Sequence, residues 1–240
     1  MGMISLSRAL ALVAAAWAAA AAPAPTLAGP IEDGIAAFER GDFSTARSKF
    51  EPLAINGDAV AQYYLGDLIV RYAAVQNKPE GVIWLQQSAQ AGVPDAMNEL
   101  ARLLSEGKIV AANQPKATEL FMQAASLGHL PAYNNLGLRS AQGVGRAPDP
   151  LDASEWFRLA ADQGFAESQF NLAVMYVNGE GVKQDLAEAF KWMTLAMKQG
   201  HLLAIRQRPV VAQRMTAADI QEAEKRVAAW RPVKPKRPAS

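Results

Sequence analysis

Apolar residues in this chain fall on helical spacings that restart at regular intervals. Counting back from Gly164, Ala161, Ala160, Trp156 and Ala153 lie three, four, eight and eleven residues upstream, which is one stripe of a helix. Counting forward, Ser168, Leu172 and Tyr176 lie four, eight and twelve residues downstream, one stripe of a second helix. The register repeats around Gly57, Gly92, Gly128 and Gly200, in steps of 35, 36, 36 and 36 residues along the series. Eleven residues before each glycine stands Ala46, Gly81, Ala117, Ala153 or Ala189, and eight before it Lys49, Trp84, Leu120, Trp156 or Trp192. Four after it stands Ala61, Ala96, Ala132, Ser168 or Ala204, and eight after it Leu65, Leu100, Leu136 or Leu172.

The helix ends are marked as well. Fifteen residues before each glycine is Asp42, Asn77, Asn113, Asp149 or Asp185, residue types whose side-chain oxygen caps the free N–H groups of a first turn. Pro79, Pro115 and Pro150 follow within that turn, where a missing N–H is harmless. The glycine then supplies a left-handed stop. A fixed period of this size predicts an all-α solenoid of antiparallel helix pairs, each sealing its neighbour. The predicted solenoid covers 29–230: a shorter hairpin at 31–58, four repeats at about 59–203, and capping helices at 204–230. In the last unit Arg208 replaces the recurring Leu, Pro209 is expected to interrupt the helix, and Thr216 caps a final helix.

The units around Trp156 and Trp192 combine Ala-x-x-x-Leu-Gly-like spacing with a Gly-x-Gly-Val loop, seen as Gly179-Glu180-Gly181-Val182, then Asp, a small residue, Trp and a terminal Gly. Over roughly residues 31–230 the chain resembles the Sel-one-like repeat (SLR) family, a relative of the tetratricopeptide repeat. The first hairpin, with Gly34, Phe38, Gly41, Ala46 and Phe50, resembles the tetratricopeptide form. The resemblance implies a right-handed superhelix whose first-helix faces line a concave groove.

Composition narrows the chemistry. Half the residues are hydrophobic, a fifth are charged and the net charge is +1, which gives no concentrated basic face for nucleic acid. Cysteine is absent, so disulfides, thiolate catalysis and cysteine metal sites are excluded. Residues 1–28 read as a signal peptide: Arg8, an apolar run from Ala9 to Ala22, and small residues at Thr26-Leu27-Ala28 before a cleavage site. That predicts a periplasmic or secreted protein with no integral membrane span after cleavage. The end of the chain, 231–240, is basic and Pro-rich, a composition that predicts disorder.

No reactive constellation stands out. His129 and His201 each follow a repeat glycine and read as solvated turn residues, since a zinc site needs three or four converging ligands. Gly143-Val144-Gly145 and Gly179-Glu180-Gly181 lack the strand and Lys-Ser/Thr of a phosphate loop. Trp84, Trp156 and Trp192 share one register and are assigned to the buried stripe. The chain is therefore expected to be no enzyme, with no catalytic residue, metal or cofactor.

Binding is expected on the face opposite the Leu stripe, at positions six, ten and thirteen residues after each repeat glycine. There lie Tyr63, Asp67, Asn98, Arg102, Asn134, Leu138, Phe170 and Val174. The early part is polar and charged. The later part, Leu138, Phe170, Val174 and Val177, is apolar and calls for a cover, either a partner or the chain's own C-terminal segment. The leading reading is a non-catalytic scaffold of the bacterial envelope with a protein or peptide partner on that face. Two others stand beside it. Resemblance to secreted cysteine-rich SLR proteins suggests a cell-wall-related enzyme or β-lactam-binding protein, although those have a cysteine pair in every hairpin. The basic tail suggests attachment to an envelope surface.

Overall fold

The computed structural model describes residues 29–73 and 77–233. Residues 1–28, read above as a signal peptide, residues 74–76 and residues 234–240, most of the stretch expected to be disordered, lie outside the described residues. The described residues form α1 (Pro30–Glu39), α2 (Phe43–Ile55), α3 (Ala59–Tyr72), α4 (Lys78–Gln90), α5 (Pro94–Glu106) and α6 (Gln114–Ser126). They continue as α7 (Leu130–Gln142), α8 (Pro150–Ala161), α9 (Ala166–Asn178), α10 (Leu186–Lys198), α11 (Leu202–Ala212) and α12 (Ala217–Ala229). No strand occurs among the described residues. Through α11 each helix packs on the next in chain order, and α12 returns to α10. The fold is the all-α solenoid of helix pairs that the repeat period predicts.

Sequence explains most boundaries. At Gly57, Gly92, Gly128, Gly164 and Gly200 φ lies between +82° and +94°, so the chain leaves each second helix through the left-handed region. Asp42, Asn113, Asp149 and Asp185 accept hydrogen bonds from first-turn N–H groups. Asn77 makes no such bond, so α4 starts without the predicted side-chain cap.

The core is segmented, as a solenoid requires. One cluster centres on Phe50, Leu65 and Ile69, the next on Leu85, Leu100, Phe121 and Leu136, and the third on Phe157, Leu172, Trp192 and Met193. Each buries its apolar area against adjacent pairs rather than around one centre.

Two further expectations differ from the structure. The tryptophan register is not uniformly buried: Trp192 is 1% exposed, but Trp84 and Trp156 are only half-buried. The buried aromatic or large apolar position comes one residue later, at Phe50, Leu85, Phe121, Phe157 and Met193. At helical spacing, the position seven before the glycine falls mid-stripe between those eleven and four before it, whereas the position eight before falls on its edge. Pro209 does not interrupt α11, which runs from Leu202 to Ala212. The proline deprives only the Ile205 carbonyl of its donor. Ile205 is exposed, while Ala204 and Val211 anchor the helix in the core. Arg208 occupies the leucine position by laying its guanidinium 4.2 Å over the Phe190 ring and donating through Nε to Thr194 Oγ1 at 2.8 Å.

Candidate partner-binding groove

The first helices of the pairs, α3, α5, α7 and α9, carry the predicted groove positions. Their early end is an ionic strip. Arg71 donates to Asp67 Oδ1 at 2.5 Å and reaches within 3.9 Å of Glu99. Arg102 donates through Nε to Glu99 Oε2 at 2.9 Å and also pairs with Glu106. Predicted residues Asp67 and Arg102 are thus brought together through Arg71 and Glu99, which the sequence reading missed. The signal was present, since acid and base stand four residues apart in Asp67/Arg71 and three apart in Glu99/Arg102.

Burial modifies these groups. Asp67 is 3% exposed, and desolvation raises its carboxyl pKa against the opposing pull of Arg71. It supports Arg71 and presents no free carboxylate to a partner, contrary to its place among the predicted contact residues. The Tyr63 phenol is held far above its ordinary range by burial, reinforced by the carboxylates of Asp67, Asp95 and Glu99. It stays neutral and able to donate.

The middle of the face is a ladder of amides. Asn135 Nδ2 donates to Asn98 Oδ1 at 2.9 Å, and Asn171 Nδ2 donates to Asn134 Oδ1 at 2.9 Å. Ser168 Oγ adds a second donor to Asn134 Oδ1 at 3.0 Å. Asn98 and Asn134 were expected from the face; Asn135 and Asn171, one position further round each helix, were not. All four side chains are half-buried, and the shared bonds fix their rotamers across α5, α7 and α9. A neutral amide array offers both donors and acceptors, the two kinds of group that a polypeptide backbone pairs with.

The late end is closed. Phe170 is 8% exposed and its ring stacks on His201, with centroids 4.6 Å apart. Val174 and Val177 face Val210 and Val211 of α11 across a cavity of about 170 Å³. Phe170 therefore belongs to the core rather than to an open groove, while Leu138 and Val174 remain half-buried. The α9 part of the apolar strip has its cover from the chain itself, through His201 and α11.

Neither histidine is a solvated turn residue. The His129 side chain is 12% exposed and its Nε2 lies 3.3 Å from Asp95 Oδ1, and that hydrogen bond holds the Asp95 carboxyl below its ordinary pKa. His201 caps α11 through Nδ1, which accepts from the Ala204 N–H at 3.2 Å. Each half-buried imidazole joins the start of its helix to an earlier one, His129 through Asp95 of α5 and His201 through the Phe170 ring of α9. Among the described residues, no group of three or more His, Asp and Glu side chains is placed to hold a metal ion.

A family model described as the Sel1 repeat matches residues 59–93, 94–129, 130–165 and 166–201. Among solved structures, c5321, a protective antigen of uropathogenic Escherichia coli with an SLR fold, is 26% identical at a TM-score of 0.52, covering 84% of this chain and 52% of that one. A Sel1 repeat protein from Oxalobacter formigenes is 28% identical at a TM-score of 0.58, covering 68% of this chain and 47% of its own. A sel1 repeat protein from Klebsiella pneumoniae subsp. pneumoniae, at 22% identity, a TM-score of 0.54 and coverage of 76% and 91%, adds likeness of fold. An F-box protein of Arabidopsis thaliana is 35% identical over 82 residues, 33% of this chain and 22% of that protein. The chain thus spans about half the length of the first two solved relatives and less of the plant protein.

Proposed function

The chain belongs to the Sel1 repeat family, whose repeats serve generally as protein-interaction scaffolds, and on that premise we propose that it is a non-catalytic adaptor holding an extended protein or peptide segment along the face of α3, α5, α7 and α9. The observation that carries this reading is the amide ladder: four asparagines from three successive first helices, locked to one another by Asn135–Asn98 and Asn171–Asn134 bonds of 2.9 Å. Preorganised amides lose little rotamer freedom on binding. Tyr63 and Arg102 flank the ladder at the polar end and Leu138 at the apolar end. Asp67 holds Arg71 in place through their ion pair, and Phe170 is packed in the core beneath His201.

The reading extends to location. A leader ending at Ala28 would deliver the scaffold to the periplasm or the exterior, and no described helix is long and apolar enough to cross a membrane. N-terminal sequencing of the periplasmic and secreted fractions checks this, with Gly29 as the expected first residue; recovery of the intact N-terminus in the membrane fraction would contradict it.

The groove is tested by the double substitution Asn98→Ala with Asn134→Ala. Crosslinked complexes recovered with the native chain from its own envelope should be lost with the variant, while the thermal midpoint shows that the variant is still folded. Undiminished recovery would place the binding surface elsewhere.

A further inference from the structure

α7 has a second face. Asn134 and Leu138 stand on the groove side; Leu136, Arg139 and Ser140 stand opposite and line a cavity of about 590 Å³ between α6, α7 and α8. That volume is within the range of small-molecule sites. One wall is apolar, formed by Met122 and Leu136 with the Trp156 indole. The indole is fixed in advance: its Nε1 donates to Asp152 Oδ2 at 3.2 Å, an oxygen that also accepts from Ser140 Oγ at 2.5 Å and from Arg146.

Charge around the cavity is matched except at one group. Asp152 is answered by Arg146, and Glu119 by Lys116 at 2.8 Å. Arg139 hydrogen-bonds only to neutral acceptors, Ser105 Oγ at 3.0 Å, Gln114 Oε1 at 2.9 Å, the Gln114 carbonyl at 3.1 Å and Thr118 Oγ1 at 2.7 Å, and its guanidinium lies 5.8 Å from the centre of the Phe121 ring. No ion pair to Arg139 occurs among the described residues, and its buried Nε has no acceptor. Burial pushes the guanidinium pKa down. A half-buried cation that lines a cavity and has only neutral partners favours an anion there.

We propose that this cavity binds a small amphipathic carboxylate, its aromatic or branched body between Met122 and Trp156 and its charged end at Arg139. The carboxylate supplies the counter-charge that the chain lacks, and the planar body lies against an indole already held in place. The site is independent of the groove, since it uses the opposite face of α7 and the second helices α6 and α8.

The test titrates the mature protein with 4-phenylbutyrate and with its neutral amide, followed by tryptophan fluorescence and by calorimetry. The acid is expected to bind roughly tenfold tighter than the amide, the size of one charge-assisted hydrogen bond. The preference should vanish in Arg139→Gln. It should vanish equally in Met122→Glu, an exposed position where a new carboxylate repels the ligand while circular dichroism stays native. In Trp156→Phe the fluorescence response should be lost and the calorimetric signal kept. A second arm compares a Gly-Gly-Phe peptide bearing a free terminus with its amide, which tells a chain terminus from a free acid as the source; acid preference in either arm upholds the site. Equal affinity for acid and amide in both arms, binding of neither, or an undiminished preference in folded Met122→Glu would overturn the proposal.

Discussion

Phe157 and Trp156 are adjacent, yet they answer to different forces. Phe157 is 3% exposed in the third core cluster, so Phe157→Ala should cost about 3–5 kcal/mol by leaving a cavity. Trp156 is half-buried at the edge of a cavity, so Trp156→Ala should lower the thermal midpoint clearly less. The reverse order would return the tryptophan register to the core. The sequence named the right stripe but the wrong residue on it, because tryptophan outranks phenylalanine in apparent apolar weight while geometry decides which one faces inward. Asp95 gives a pH-dependent signature. Its pKa lies below the ordinary 3.8 because His129 donates to it. A depressed acid contributes stability that is present above 3.8 and lost as pH falls through the folded value. In His129→Gln the Asp95 titration, followed by carboxyl NMR, should move upward. A titration midpoint that does not move would show that His129 and Asp95 are uncoupled.

Among elements, the turns and caps were legible because each follows from local chemistry: a glycine where φ is positive, an Asp or Asn where N–H groups are free. Gly181 is the sharpest case. Its φ is +67°, and a Cβ there would sit 2.0 Å from the Pro150 carbonyl oxygen, so the α9–α10 loop rests directly on the start of α8. Gly181→Ala should therefore destabilise by about 1–3 kcal/mol or more, through overpacking and backbone strain together; an unchanged unfolding midpoint would mean that the loop does not dock. Pro209 gives the opposite sign. It sits inside α11, so Pro209→Ala should raise stability by about 1–3 kcal/mol by restoring a helix hydrogen bond. Interactions between neighbouring pairs were less legible. The Arg71–Glu99 contact and the asparagine ladder each join residues 28 to 37 positions apart, and a single-helix wheel shows which face a residue occupies but not its partner on the next helix.

The whole molecule is a row of pairs closed at one end by a different device. α12 is tied to α10 by Arg226–Glu188 at 3.0 Å. Trp230 then meets Trp192 edge-on at 6.4 Å, and the Val233 N–H donates to the Asp162 carbonyl at 2.8 Å. This closure accounts for the complete burial of Trp192 against the half-burial of Trp156 in the same register. Site-specific photocrosslinking reports whether a partner lies on the ladder face, with the reactive residue placed at Tyr63 or Leu138 in the groove and, for comparison, at the exposed Ile83 of α4. Adducts with one protein partner from the groove positions and none from Ile83 are the predicted result; adducts from Ile83 with none from the groove would contradict it.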